Sequence, residues 1–169
     1  MAKNQISVEE LIKRAVEAGS RSASQKVKDA YKATERRLYG LPILRQKLED
    51  DQERLEDMKR NGLAQRSKSI VRFSKSGVRL SPEEILEAVV ADMEANIAAD
   101  EYEIQIMERA LKTIAKDNYY LTVTGKYFDH LTDEQVAERI PCDTSTVWRN
   151  RKRLVQRLSV WLYGAAAIG

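Results

Sequence analysis

The sequence is poor in the residues that build cross-linked, metal-bound or loop-dominated proteins: its 169 residues include one cysteine, one histidine, three prolines and seven glycines. With Cys142 alone no intrachain disulfide can form, which fits a reducing compartment. His130 and Cys142 by themselves cannot supply a zinc site, and Cys142 reads as a small buried residue in a turn. No apolar run approaches the roughly 20 residues of a membrane-spanning helix, and Met1 to Glu10 is too polar for a secretory signal. A Gly-rich phosphate loop and a nucleophile with a base partner are both missing, so neither a cofactor nor an enzymatic role is expected. The expectation is a soluble cytoplasmic protein without membrane contact.

What the chain does have is charge of both signs, 33% of its residues, beside 43% hydrophobic residues. That profile predicts an all-α protein with long amphipathic helices; residue spacing adds coiled-coil-like pairing and a C-terminal helix-turn-helix domain to the expected fold. The charge is unevenly placed. Residues 59–81 hold seven bases and no acid, whereas residues 82–117 hold ten acids against three bases. A basic patch is the electrostatic footprint of a nucleic-acid binder; the acidic stretch would repel DNA and should face away from it or meet protein.

Four regions follow. In the N-terminal helical region, 1–62, Ser7 and Glu10 form a capping box for a first helix that Gly19 ends. Residues 20–24 read as a joint. A second helix is predicted from Gln25 to about Tyr39, interrupted by Gly40 and Pro42, and a third from Pro42 to Gly62 with Leu41, Leu44, Leu48, Leu55 and Met58 as its stripe. Residues 63–81 form a basic linker or a DNA-contacting arm, with Arg66, Lys68, Arg72, Lys75 and Arg79 as the contacting side chains. Ser81, Pro82 and Glu84 then start a long amphipathic helix over 82–117, striped by Leu86, Val89, Met93, Ile97, Ile104, Met107, Leu111 and Ile114. At about 50 Å such a helix needs a long partner: residues 42–60 of the same chain, or a second copy in a coiled-coil-like dimer.

The last region, 118–169, carries the function. A helix around 118–129 precedes a capping box, Thr132 with Gln135, that opens a short helix holding Val136, Ala137 and Ile140. Pro141 stops it, and Asp143 caps a further helix from Thr144 to about Tyr163. Small Ala137 suits a close helix crossing, and a three-residue break turns the chain, which is helix-turn-helix spacing. The second helix opens with Thr144, Ser145 and Thr146, buries Val147, Leu154 and Leu158, and is expected to expose Trp148 and the bases Arg149, Arg151, Lys152, Arg153 and Arg157. No acid lies between Thr144 and Arg157. Arginine pairs with guanine edges in the major groove and cations neutralise phosphates, so these nine residues are the candidate contacts to double-stranded DNA.

The run Leu131-Thr132-Asp133-Glu134-Gln135-Val136-Ala137-Glu138-Arg139-Ile140, followed by Thr144-Ser145-Thr146-Val147-Trp148-Arg149, resembles the region 4 helix-turn-helix of sigma-70-type factors. With the segment Thr34-Glu35-Arg36-Arg37-Leu38-Tyr39-Gly40-Leu41-Pro42 it is similar to phage and prophage late-gene transcriptional regulators of the ArpU and RinA type. The resemblance spans most of residues 31–162. It implies activation of phage late genes (packaging, structural or lysis) in a bacterial host, host RNA polymerase as a further partner, and Thr144, Ser145, Thr146, Trp148, Arg149 and Arg153 as recognition residues. Arg151 departs from the pattern, standing where region 4 has an apolar core residue, and no sigma region 2 is recognisable. A homo-oligomer, in the first place a dimer, is expected. Two other readings stay open: a DNA-packaging component of the small-terminase kind, and an adaptor that binds polymerase.

Overall fold

The computed structural model describes residues 10–17, 29–62 and 81–168. The arm candidates Arg66, Lys68, Arg72, Lys75 and Arg79, the Ser7 cap, the Gly19 stop, the joint at 20–24 and the helix start at Gln25 lie outside the described residues. Within them the chain is all-α, with no strand. Residues 10–17 are helical. Then come α1 (Ala30–Asn61), α2 (Pro82–Lys112), α3 (Leu121–Tyr127), α4 (Asp133–Arg139) and α5 (Thr144–Tyr163), closed by a 3-10 turn, Gly164–Ala167. No helix among the described residues is long and apolar enough to cross a membrane.

Helix α1 corrects the expected break at Gly40 and Pro42, for it runs unbroken with Pro42 inside it. An internal proline removes one helical hydrogen bond and costs about 3 kcal/mol. Leu38 and Leu41, one on either side of Gly40, are almost wholly buried. Burying two leucines contributes about 3–6 kcal/mol, and Leu44 and Leu48 pack against the same core. Tertiary burial therefore outweighs the local breakers. Asp29 caps the start by accepting the Lys32 N–H at 2.9 Å. Gly62 closes the end at φ 75°, a left-handed conformation that glycine adopts without strain, and its N–H reaches the Met58 carbonyl.

Helix α2 begins with both halves of its capping box in place. The Glu84 N–H donates to Ser81 Oγ at 3.2 Å and the Ser81 N–H to Glu84 Oε2 at 2.7 Å. It ends at Lys112, short of the expected 117. The Thr113 hydroxyl turns back to the Ala110 carbonyl at 2.7 Å, and Asp117 Oδ1 accepts the Tyr119 N–H at 3.0 Å. These side-chain bonds and tighter backbone turns, such as Ile114 N–H to the Leu111 carbonyl, replace the helical ladder. Ile114 nonetheless stays buried.

Of the two partners open to α2, the one found is α1 of the same chain. The helices run antiparallel: Lys59 meets Glu94 at 2.7 Å, Lys47 meets Asp100 at 2.6 Å and Arg45 meets Glu108 at 2.9 Å. Asp100, the one polar step in the α2 stripe, is therefore paired across the seam. A single hydrophobic core joins Leu38 and Leu41 of α1, Ile104, Met107 and Leu111 of α2, Val123 and Tyr127 of α3, and Leu154, Val155 and Leu158 of α5. It crosses the boundary expected between 117 and 118. Val136, Ala137 and Val147 form a smaller cluster under α4, edged by Leu131, Ile140 and the half-buried Cys142.

Candidate nucleic-acid interface

The approach to the site is set by α3. His130 stands at φ 52°, left-handed for a side chain with a Cβ, and lets the chain turn sharply into α4. The Leu131 N–H donates to the Gly125 carbonyl at 2.8 Å. A Cβ on Gly125 would stand 3.1 Å from Val136 Cγ2 and 3.2 Å from Leu131 Cδ1, so glycine is what admits α4 this close. The sequence reading had no role for Gly125.

Helix α4 starts on the expected capping box: the Gln135 N–H donates to Thr132 Oγ1 at 3.3 Å and the Thr132 N–H to Gln135 Oε1 at 2.9 Å. It stops before Ile140, and the Cys142 N–H closes the turn on the Ala137 carbonyl at 3.2 Å. Asp143 occupies the N-cap of α5, with its carbonyl taking the Thr146 and Val147 N–H groups at 2.9 and 3.0 Å. Its carboxylate, expected to cap, makes no cap bond.

Helix α5 buries Val147, Leu154, Val155 and Leu158 completely and spans the expected Thr144–Tyr163. Thr144, Ser145, Trp148, Arg149, Lys152, Arg153 and Arg157 are exposed together and Thr146 is half-buried. Trp148, 52% exposed, carries the Lys152 ammonium 5.2 Å from its ring centroid. Arg149 is steadied locally, Nε towards the Ser145 carbonyl and Nη2 towards Thr146 Oγ1, both at 3.3 Å. Arg153 is drawn sideways by Asn150 and Asp117, at 3.2 Å and 2.9–3.0 Å.

Arg151 is the correction. Expected on the outer face, it is only 9% exposed and lies on the stripe of Val147, Leu154 and Leu158. Its guanidinium forks onto Asp133, Nη1 to Oδ1 at 2.6 Å and Nη2 to Oδ2 at 2.9 Å. It clamps α4 to α5 and is turned away from any ligand on the outer face. Spacing held the signal, because 151 is four after 147 and three before 154. The hydrogen bond from Arg151 holds the Asp133 carboxyl below its usual range and raises Arg151 in return.

The rest of the chain fixes both ends of this unit. The Tyr127 hydroxyl donates to Glu35 Oε1 at 2.8 Å; burial and then that carboxylate push the phenol far above its ordinary range. Arg37 pairs with Glu103, Nη2 to Oε2 at 2.8 Å, and lies 5.6 Å over the Tyr163 ring at the end of α5. None of the partners Glu35, Glu103, Asp117 or Asp133 was foreseen from the sequence.

No protein-family model, curated protein or solved structure matches the chain.

Proposed function

We propose that the protein is a sequence-specific regulator of transcription that binds double-stranded DNA, with α4 and α5 as a helix-turn-helix and the α1–α2 pair as its coiled-coil-like support. One observation carries this reading: the exposed face of α5 presents Arg149, Lys152, Arg153 and Arg157 with Trp148 and Ser145, and the helix contains no acid. Solvated helices alternate sign, as α1 does between Glu49 and Arg60. A helix whose exposed charges are all of one sign suits an anionic polymer.

In this reading Arg149, near the start of α5, addresses a guanine edge, and the hydroxyls of Thr144, Ser145 and Thr146 meet phosphates or base edges. Lys152, Arg153 and Arg157 neutralise phosphates, and Trp148 lies against a thymine methyl or a sugar. Arg151 is left out of the contact set. The resemblance to late-gene regulators extends the proposal to activation of phage late genes, with host polymerase as a second partner. Two copies would read two half-sites, since one such helix covers only one.

The test is selection from a random duplex pool by the full chain at two salt concentrations. Enrichment of one motif, with affinity falling steeply as salt rises, is expected, and a palindromic motif would report the dimer. Binding without enrichment would overturn sequence specificity, and no binding would overturn the DNA-binding reading itself.

A further inference from the structure

Among the described residues, Arg153 is the only cation on the outer face of α5 paired with a carboxylate; Arg149, Lys152 and Arg157 have no acid within 4.0 Å. Its Nη2 stands 3.0 and 2.9 Å from the two oxygens of Asp117, and Nε and Nη2 both lie 3.2 Å from Asn150 Oδ1. Asp117 is no loose surface acid. Its side chain is 17% exposed and is anchored in the turn after α2 by the Tyr119 N–H at 3.0 Å. Partial burial works against its charge, but the Tyr119 N–H, the Arg153 guanidinium and the field of Arg157 outweigh that and keep the carboxyl below its usual range. A fixed carboxylate thus sits among the cations that a nucleic-acid backbone would meet, offering Arg153 the same pair of anionic oxygens as a phosphodiester.

We propose that Asp117 is a built-in competitor for the DNA phosphate at Arg153, and that it lowers the affinity of α5 for duplex of any sequence. The proposal rests on the DNA-binding reading above. Guanidinium geometry carries it. Only Nη1 of Arg153 has no partner among the described residues, whereas a bidentate contact to guanine or phosphate needs two donors along one edge. To give phosphate such an edge, Arg153 must release Asp117 or Asn150. A cation already neutralised by protein also releases little counterion when DNA arrives, so it adds little to the sequence-independent part of binding. Arg149, whose only partners among the described residues are two long bonds within its own turn, keeps its full share. Non-specific binding is thereby held down while the base-reading side chain is untouched.

The experiment compares the full-length wild type with Asp117→Asn, which keeps an acceptor for the Tyr119 N–H, and with Arg153→Ala and Lys152→Ala. Anisotropy titrations use one duplex of arbitrary sequence over a range of KCl concentrations. Asp117→Asn should bind about eightfold tighter at 0.1 M salt, with a log–log salt slope steeper by about 0.9, the gain of one further counterion released. Arg153→Ala, made at an exposed site, should lose less affinity than Lys152→Ala. Unchanged or weaker binding by Asp117→Asn with wild-type melting overturns the proposal and makes Asp117 a positioning residue. A loss in Arg153→Ala equal to that in Lys152→Ala overturns it independently of how Asp117→Asn folds. Failure of the wild type to bind would instead overturn the DNA-binding reading, and this inference with it.

Discussion

The α1–α2 hairpin and helix α5 are both rich in charge, yet they arrange it in opposite ways. Along the hairpin four cations find an acid on the facing helix: Arg37 with Glu103, Arg45 with Glu108, Lys47 with Asp100, Lys59 with Glu94. Helix α5 has no acid of its own, and its two paired arginines borrow partners from elsewhere, Arg151 from α4 and Arg153 from the turn after α2. Charge of alternating sign across a seam sets which residues face each other. Charge of one sign on an exposed face sets no such facing. The two regions nevertheless share one core, so they differ in surface and not in foldedness.

That shared core makes the largest prediction. Leu38→Ala lies in α1 and should cost about 2–5 kcal/mol. Because Leu38 packs in the cluster that also holds Leu154 and Leu158, the loss should appear in α5 as well. Trp148 and Trp161 both belong to α5, so their fluorescence reports that helix while far-UV circular dichroism reports the whole. The two melting curves should shift down together. A tryptophan transition that stays at the wild-type temperature would split the molecule into two units and break the comparison.

The next effect separates the two kinds of arginine in α5. Asp133→Asn leaves the buried Arg151 guanidinium without its carboxylate and should destabilise by about 1–3 kcal/mol at neutral pH. The Asp133 carboxyl in the folded protein lies below its ordinary 3.8, so its contribution is complete above that value and is lost as pH falls through the folded one. The stability gap between Asp133→Asn and wild type should therefore close in acid; a gap that stays unchanged once the Asp133 carboxyl of the folded protein has taken up its proton would mean that Arg151 does not rely on that charge. Arg149→Ala should do the reverse. Stability stays within about 0.5 kcal/mol of wild type, while affinity for a selected duplex falls by about 1–3 kcal/mol with relaxed preference at one base. A melting shift as large as that of Asp133→Asn would move Arg149 from the interface to the scaffold.

These contrasts also mark what was legible in the sequence. Helix starts at Ser81 and Thr132 were readable because capping bonds are local, made within three or four residues. The bounds of α5 were readable from Pro141 before it and Gly164 after it, although the Asp143 carboxylate makes no cap bond. The unbroken α1 was not, because Pro42 is local whereas the burial of Leu38 and Leu41 depends on helices far along the chain. Arg151 was readable in principle, since its phase matches Val147 and Leu154, but a count of bases hides phase. Its partner Asp133, like Asp117 for Arg153, is set by the fold alone.

The smallest effect belongs to the hairpin surface. Arg45 and Glu108 are 43% and 44% exposed, and an ion pair so placed contributes about 0.2–1 kcal/mol, less at high salt. Arg45→Ala should lower stability by about that amount and leave duplex binding unchanged, since no residue of α5 pairs with it among the described residues. A Glu108→Ala, Arg45→Ala double-mutant cycle isolates the pair from the two single losses. A coupling well above 1 kcal/mol would mean that charge, rather than the leucine seam of α1, holds the two long helices together. A coupling near zero would leave the hairpin charges as a guide to register, with apolar burial doing the stabilising, and would sharpen the contrast with α5, whose charges have no such facing row.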